Sequence, residues 1–235
     1  MAVNSKYMGR TILLTVLALI AVAAASDKPW WDVERTSTST DSAFVGRQGA
    51  ELYDDHYLTY HFDSYGNRYD VEYGVYADDS IFTLDPIIKL RTLFSHVSVL
   101  SGLWLLAGVL FIVALLIDSQ LSSLVVGGFA FAVGAFLLSI FTLEIGAAVA
   151  NSRIATIIGL TRDVGFTSGY HYDTTIGTVT YTEDVVCGPS LGFFLLFIAF
   201  LLQIAAFVLR AYVLSGTFAK DRMLREIDLD SPPPE

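Results

Sequence analysis

Residues 97–117 have the sequence VSVLSGLWLLAGVLFIVALLI, which contains no charged side chain. Because an α-helix rises about 1.5 Å per residue, about 20 apolar residues cross the roughly 30 Å hydrocarbon core of a bilayer. Residues 124–143 and 191–209 are uncharged over a similar length. These three runs predict transmembrane helices.

The composition of the chain agrees with this prediction. Hydrophobic residues make up 54% of the 235 residues and charged residues only 16%, and the mean hydropathy is +0.56. Soluble domains carry about 25% charged residues. We therefore predict an integral membrane protein of the secretory pathway.

A fourth, shorter apolar run at 11–25 follows the basic residues Lys6 and Arg10. The small residues at 22–26 are typical of a signal-peptide cleavage site, but the run is also long enough for an uncleaved signal anchor. The residues leave both alternatives open. Either one places residue 27 and its successors outside, and we predict that the helix is retained as an anchor.

Basic residues cluster after the last apolar run, at Arg210, Lys220, Arg222 and Arg225. The positive-inside rule therefore predicts a cytoplasmic C-terminus. The predicted order is a cytoplasmic N-terminus (1–9), a first transmembrane helix or signal peptide (10–26), a first extracellular β-rich segment (27–94), a second transmembrane helix (95–117), a cytoplasmic turn (118–122), a third transmembrane helix (123–148), a second extracellular segment (149–189), a fourth transmembrane helix (190–214) and a cytoplasmic tail (215–235).

The formal charge of −10 is concentrated in the first outer segment, where residues 27–95 hold thirteen acidic and six basic side chains. Nucleic acids and anionic lipid surfaces are bound by clusters of Lys and Arg. The charge therefore argues against both as partners and fits a soluble outer domain or a cationic partner.

Alternating polar and apolar residues in the first outer segment predict β-strands at 31–39, 56–62 and 68–76. Turn-forming residues at 64–67 predict a hairpin of the last two strands, with Tyr69, Val71 and Tyr73 on one face. In the second outer segment, the β-rich run 174–182, interrupted by Gly177, predicts one more strand.

Neither outer segment is large enough to build a core alone, so we expect the strands of both to join one sheet resting on the helix ends. The predicted fold class is membrane α-helical: a four-helix transmembrane bundle with a small antiparallel β-sheet ectodomain formed by two outer loops.

This layout resembles the claudin and peripheral-myelin-protein superfamily, whose members have four helices, a long strand-rich first outer loop with an early tryptophan, and a shorter second loop. Trp30 or Trp31 matches the early tryptophan. The first outer segment lacks the Gly-Leu-Trp sequence and the two cysteines that claudins carry there. The resemblance therefore rests on layout, and it implies a tetraspan protein that acts in cell adhesion or assembly.

Two polar residues lie in the apolar runs. Glu144 comes near the end of the third helix, where it either reaches the outer interface, near Asn151 and Arg153, or serves as a cation or proton site. Gln203 lies nearer mid-membrane, where we expect a hydrogen bond between helices, with a transport role as the alternative.

The third helix also carries small residues spaced alternately by four and three, which keeps them on one helix face. Close approach along small side chains is a usual source of helix association in lipid. We expect this stripe to pack inside the bundle or, alternatively, against a partner protein. Its members are Gly128, Ala132, Ala135, Ser139, Thr142 and Gly146.

Large aromatic residues offer a candidate recognition face, because Tyr and Trp supply rigid, amphipathic contact area. The alternative is that the sheet packs its own aromatic row. The candidates are Trp30, Trp31, Tyr69, Tyr73 and Tyr76.

No enzymatic site is predicted, because no nucleophile with a plausible base, phosphate loop or zinc spacing occurs. His56, His61, Asp54, Asp55, Asp78 and Asp79 have no spacing typical of a metal cage, and we predict neither metal nor cofactor. The one cysteine, Cys187, has no partner for an internal disulfide, so it is either a buried thiol or an intermolecular bridge.

The favoured hypothesis is a non-enzymatic, claudin-like tetraspan that acts through protein–protein contacts as an adhesion, assembly or accessory subunit. Its expected partners are membrane lipids and other membrane proteins, or a second copy in the same or an apposed membrane. The default location is the plasma membrane, with another membrane of the secretory pathway as the alternative. The alternative is a channel or transporter subunit, with Glu144 and Gln203 lining a polar pathway.

Overall fold

The computed structural model describes residues 2–76, 90–150 and 152–229. In chain order the elements are α1 (Ala2–Ala25), β1 (Trp31–Ser39), β2 (Ser42–Leu52), β3 (His56–Phe62), β4 (Arg68–Val75), α2 (Leu90–Leu116), α3 (Gln120–Ala150), α4 (Arg153–Ile158), β5 (Tyr170–Ile176), β6 (Val179–Pro189) and α5 (Leu191–Leu229).

Four helices in the described part of the chain are long and apolar enough to cross a membrane, over Tyr7–Ala25, Leu90–Leu116, Gln120–Ala150 and Leu191–Gly216. At most 33% of the most apolar window of each is buried inside the protein. The rest leaves a wide apolar surface that suits lipid rather than water. These helices indicate an integral membrane protein, as the sequence predicts.

Helix α1 packs chiefly on α5, and α2 packs chiefly on α3. The buried positions of α5 include Leu196, Ala199, Gln203, Ala206 and Arg210, at alternating spacings of three and four. Those of α1 are Thr11, Thr15, Ala18, Val22 and Ala25, with the same alternation. This is the periodicity of helices that cross at about 20° along a continuous seam.

The six strands form one antiparallel sheet in the order β4-β3-β2-β1-β6-β5. Strand β1 pairs with β2 on one side and with β6 on the other, so the sheet joins the two outer segments. The predicted single sheet, the β3–β4 hairpin and the limits of β1 and β3 are confirmed.

Two strand predictions need correction. The run 174–182 is not one strand, because Gly177 adopts φ +67° in a tight turn between β5 and β6. Strand β2 was not predicted, since its glycines and polar residues obscure the alternation. Gly49 in β2 is required by packing, because the ring of Tyr60 lies where a Cβ would be, 2.6 Å from it.

The predicted arrangement of faces in β4 is also wrong. Asp70 adopts φ +53° at a β-bulge, where two residues of β4 lie opposite one residue of β3. A bulge shifts the alternation of side chains by one residue. Tyr69 therefore pairs with His61 on one face, whereas Tyr73 pairs with Leu58 on the other.

An aromatic cluster joins the sheet to one end of the bundle. The ring of Trp30 lies 6.3 Å from that of Phe94 in α2 and 5.5 Å from that of Phe141 in α3. Phe141 in turn stacks on Phe193 in α5 at 5.8 Å. The Trp30 indole also donates a hydrogen bond of 2.9 Å to the Ala25 carbonyl at the end of α1. All four long helices therefore meet the sheet at this junction.

The opposite end of the bundle carries buried polar side chains. Arg210 of α5 is buried, and its Nε donates a 3.0 Å hydrogen bond to Ser123 Oγ in α3. Its Nη2 lies 3.4 Å from the Asp118 carboxylate in the α2–α3 connection. This connection and the start of α1 therefore lie at the end away from the sheet.

Candidate functional site

The two faces of the sheet differ in what covers them. We call the face that contacts α4 and residues 159–168 the α4 face, and the opposite one the open face. Trp31, on the α4 face, donates a 2.8 Å hydrogen bond to the Phe166 carbonyl, and the Cys187 thiol donates one of 3.2 Å to the Gly165 carbonyl. The α4 face is thus occupied by the protein's own chain near the helices.

A buried carboxylate fastens this covering segment. Glu183 in β6 accepts hydrogen bonds from the Tyr170 hydroxyl and, at 3.1 Å, from Thr161 Oγ1, and it forms a 3.1 Å ion pair with Arg35 Nε. Burial alone would raise the pKa of Glu183, but the hydrogen bond from Tyr170, the nearby charge of Arg35 and the hydrogen bond from Thr161 outweigh it and lower the pKa. Glu183 is therefore a satisfied structural carboxylate.

The open face carries a ladder of charges and aromatic rings across β1 to β4. Arg47 forms a 2.5 Å ion pair with Glu34, and its guanidinium lies 4.1 Å from the centroid of the Phe62 ring. Arg68 covers the Tyr60 ring at 4.1 Å. It also pairs with Glu51 at 2.5 Å. Arginine on an aromatic face adds a cation–π attraction to each ion pair.

The open face is acidic despite these arginines. Asp32 lies on it beside Glu34 and Glu51. Burial raises the pKa of Asp32, and repulsion from Glu34 and Glu51 raises it further. His171 on β5 pairs with Asp184 at 2.5 Å and with Asp173 at 3.2 Å on the same face. A partner that brings positive charge would relieve this repulsion.

An aromatic stack lies where the open face approaches the helices. The ring of His56 stacks on Tyr53 at 4.4 Å and on Tyr73 at 4.9 Å. Tyr73 remains 64% exposed. The hairpin therefore presents one tyrosine on the open face, held in place by its neighbours.

Of the five predicted recognition residues, three are buried and two are exposed. Trp30, Trp31 and Tyr76 are buried, and Tyr76 stacks on Phe94 at 4.6 Å in the junction cluster. These three belong to the hydrophobic core, because each contacts either the ends of the long helices or the segment 159–168. Tyr69 and Tyr73 are exposed, but on opposite faces of the sheet, so the predicted single tyrosine row does not exist.

Gln203 is fully buried in α5, and neither atom of its amide has a hydrogen-bond partner among the described residues. The predicted hydrogen bond between helices is therefore absent from the part of the chain that the structure describes. In the α1 seam, Thr15 donates to the Thr11 carbonyl and Thr11 to the Tyr7 carbonyl, so neither hydroxyl donates to Gln203. Gln203 separates Ala199 of the large apolar cluster from Ala206 of a smaller one.

Glu144 and Gln203 lie at different depths of the bundle. Glu144 is half-buried, three residues beyond Phe141 toward the sheet. Phe141 stacks on Phe193, and Gln203 lies ten residues beyond Phe193 in the opposite direction. At about 1.5 Å per residue, the two polar residues are about 20 Å apart along the bundle. They do not form the wall of one local site.

The predicted stripe of small residues does not line the bundle interior. Ala132 and Ser139 are exposed, and only Gly146 in the stripe is buried. The neighbouring face of α3 packs inside instead, because its glycines accommodate rings: Gly134 lies against Trp104, and Gly127 against Phe111. Apart from Gly146, the predicted stripe therefore lies at or near the outer surface of the bundle, where it faces lipid or a partner.

Cys187 is a free, buried thiol, and burial raises its pKa to about 11. Its hydrogen bond to Gly165 and its place on the α4 face fit the predicted packed thiol. Among the described residues, no group of three His, Cys, Asp or Glu side chains is placed to hold a metal ion. Asp78 and Asp79 lie outside those residues.

No protein-family model matches the chain, and no curated protein matches it.

Proposed function

We propose that this chain is a non-enzymatic membrane protein whose sheet recognises a partner protein through the open face. The observation that carries the proposal is the contrast between the two faces. The α4 face is closed by the protein's own chain, whereas the open face presents ordered charges, aromatic rings and the exposed Tyr73.

The composition of the open face suits recognition. Tyrosine and arginine are enriched at protein interfaces, and rigid side chains lose little conformational entropy when a partner binds. Arg47 and Arg68 are each held both by a carboxylate and by a ring. Such preorganised, alternating charges give specificity of partner choice more than affinity.

The chemistry of the open face favours a partner with basic side chains. Asp32, Glu34 and Glu51 lie close together, and Asp173 and Asp184 extend the acidic area. Following the layout of claudins, we place the sheet outside the cell and both termini in the cytoplasm, with the plasma membrane as the default location. The partner is then a membrane protein or second copy in the same or an apposed membrane.

Photocrosslinking tests this function directly. Benzoylphenylalanine in place of Tyr73, on the open face, should yield a discrete adduct in native membranes. The matched control replaces Tyr181, a tyrosine of similar exposure on the α4 face, and should yield at least about tenfold less of that adduct. Equal adducts from both positions would contradict the proposal.

A charge swap separates recognition from folding. The double variant Glu34→Arg with Arg47→Glu keeps an internal ion pair but reverses the charges presented to a partner. We expect a small loss of thermal stability, because Arg47 no longer lies over the Phe62 ring, and loss of the Tyr73 adduct. Retention of the adduct at full yield would show that the open face does not select the partner by charge.

A second candidate function, a polar pathway through the bundle, is favoured by the unsatisfied amide of Gln203. The separation of Glu144 from Gln203 requires that such a pathway run along the bundle rather than through one shared site. Purified protein in liposomes distinguishes the two functions. A specific ion or proton flux that Glu144→Gln abolishes would establish the pathway and contradict a purely recognitive role.

A further inference from the structure

Helices α1 and α2 leave a cleft between them at the end nearest the sheet. Its volume is about 220 Å³, and its lining is Val22, Ala23, Ser26, Trp30, Asp54, Ser98, Ser101, Gly102 and Leu105. Of the neighbouring pairs of long helices, α1 and α2 contact each other least. The cleft is larger than the roughly 150 Å³ apolar cavity that holds a benzene ring in an engineered protein.

The walls of the cleft are mainly apolar and reach the outer surface of the helices. Val22, Trp30 and Leu105 supply apolar contact, whereas Ala23 and Gly102 are exposed at its side. A Cβ added at Gly102 would meet no atom within 4 Å. The cleft therefore opens sideways, where a membrane-spanning bundle meets lipid.

The mouth of the cleft is polar and acidic. A second hollow of about 490 Å³ shares Ser26 and Asp54 with the cleft and is also lined by Asp27, Tyr53, Asp55, His56 and Leu58. Asp27, Asp54 and Asp55 thus contribute three carboxylates. Among the described residues, neither lining contains a lysine or an arginine, and His56 is the one group there able to carry positive charge.

Two polar groups in the cleft have unfavourable surroundings. Ser101 Oγ is buried and has no hydrogen-bond partner among the described residues. The pKa of the Asp54 carboxyl is raised, first by burial and then by repulsion from Asp55. A bound cation would relieve that repulsion, and a polar group near the head of a ligand would satisfy the serine.

We propose that the cleft and its mouth bind a single-tailed amphiphile with a positively charged amine head. The tail occupies the space beside Gly102 between α1 and α2, and the ammonium group lies against Asp54 and Asp27. An anionic or phosphate head is disfavoured, because it would face the same three carboxylates. This site is distinct from the open face and does not depend on the proposed recognition of a protein partner.

Three C18 ligands with the same tail test the head chemistry. Oleylamine, oleyl alcohol and oleate are added to the full-length protein in maltoside micelles, and bound ligand is counted by native mass spectrometry. We expect one oleylamine site with affinity about tenfold above that of oleyl alcohol, as expected for hydrogen bonds to a charged group, and oleate weakest. Equal binding of all three would overturn the proposed head site.

Matched variants locate the ligand. Gly102→Leu should fill the cleft and remove the amine site, whereas Gly9→Leu, at another exposed helical glycine with open space, should leave it unchanged. Asp54→Asn should reduce oleylamine affinity about tenfold without changing oleyl alcohol binding. Asp41→Asn, at an exposed turn, is its control. Identical binding by Gly102→Leu and Gly9→Leu would show that the amine binds elsewhere and overturn the proposal.

Discussion

Glu183 in the sheet and Gln203 in the bundle are both buried polar side chains, but their surroundings differ. The Glu183 carboxylate is held by Arg35, Tyr170 and Thr161, whereas the Gln203 amide has no hydrogen-bond partner among the described residues. A buried polar group without partners costs about 1–3 kcal/mol. Glu183 thus stabilises the sheet, whereas Gln203 weakens the bundle.

The largest effect on stability is expected at the junction where the sheet meets the helix bundle. Trp30→Ala removes the ring that contacts Phe94 and Phe141 and breaks the hydrogen bond to Ala25. We expect a loss of about 4 kcal/mol in the free energy of unfolding in micelles. Tyr65→Ala, at an exposed turn residue, is the control and should change stability by less than about 0.5 kcal/mol. Similar stability of both variants would mean that sheet and bundle fold independently.

The stabilising role of the buried, fully partnered Glu183 carboxylate is tested by removing it. Glu183→Ala leaves Arg35 without its carboxylate and releases Tyr170 and Thr161, so we expect a loss of about 3 kcal/mol in the free energy of unfolding. The control is Glu72→Ala, at an exposed carboxylate on the same face. If Glu183→Ala is as stable as its control, the buried cluster does not hold the α4 segment.

Replacing the unpartnered Gln203 amide should change the free energy of unfolding in the opposite direction. Gln203→Leu replaces an unpartnered amide with an apolar side chain of similar volume, and we expect a gain of about 1–2 kcal/mol in the free energy of unfolding. Thr15→Val, whose hydroxyl already bonds within its own helix, should change stability little. A large loss of stability in Gln203→Leu would show that the amide has a partner in the folded protein.

Strong local patterns made much of the fold predictable. The apolar runs were long enough to identify four helices, and the alternation in β1 and β3 matched their observed limits. Features that depend on one residue or on distant contacts were missed. Asp70 gives no sequence sign that it forms a bulge, and Gly49 has its role only because Tyr60 of another strand lies on it.

The candidate site was less predictable than the fold for the same reason. Aromatic residues near a membrane suit both a core and an interface, so Trp30 and Trp31 could not be assigned before their contacts with helix ends and the α4 segment were known. The small residues of α3 occur on two adjacent faces. Only the rings of Trp104 and Phe111 show which face packs inward.

The smallest expected effect on stability is the pH-dependent contribution of His171, on the edge strand β5 of the open face. The hydrogen bonds that His171 donates to the Asp184 and Asp173 carboxylates raise the pKa of His171 above its unperturbed value of 6.5. Protonated His171 therefore contributes stability that is fully present below pH 6.5 and is lost as pH rises through the higher pKa of the folded protein. An NMR titration should show this raised pKa and its return toward 6.5 in Asp184→Asn. An unchanged value in the variant would contradict the assigned cause.

Four helices are long and apolar enough to cross a membrane, and the whole sheet lies at one end of their bundle. Tyr65, in the β3–β4 turn, and Ser122, after the α2–α3 connection, are exposed at opposite ends of the molecule. Single cysteines at these positions, in a Cys187→Ser background, are treated with an impermeant maleimide in sealed vesicles. We expect the two sites to be labelled from opposite sides of the membrane, and labelling of both from the same side would show that the four helices do not hold the sheet on one side.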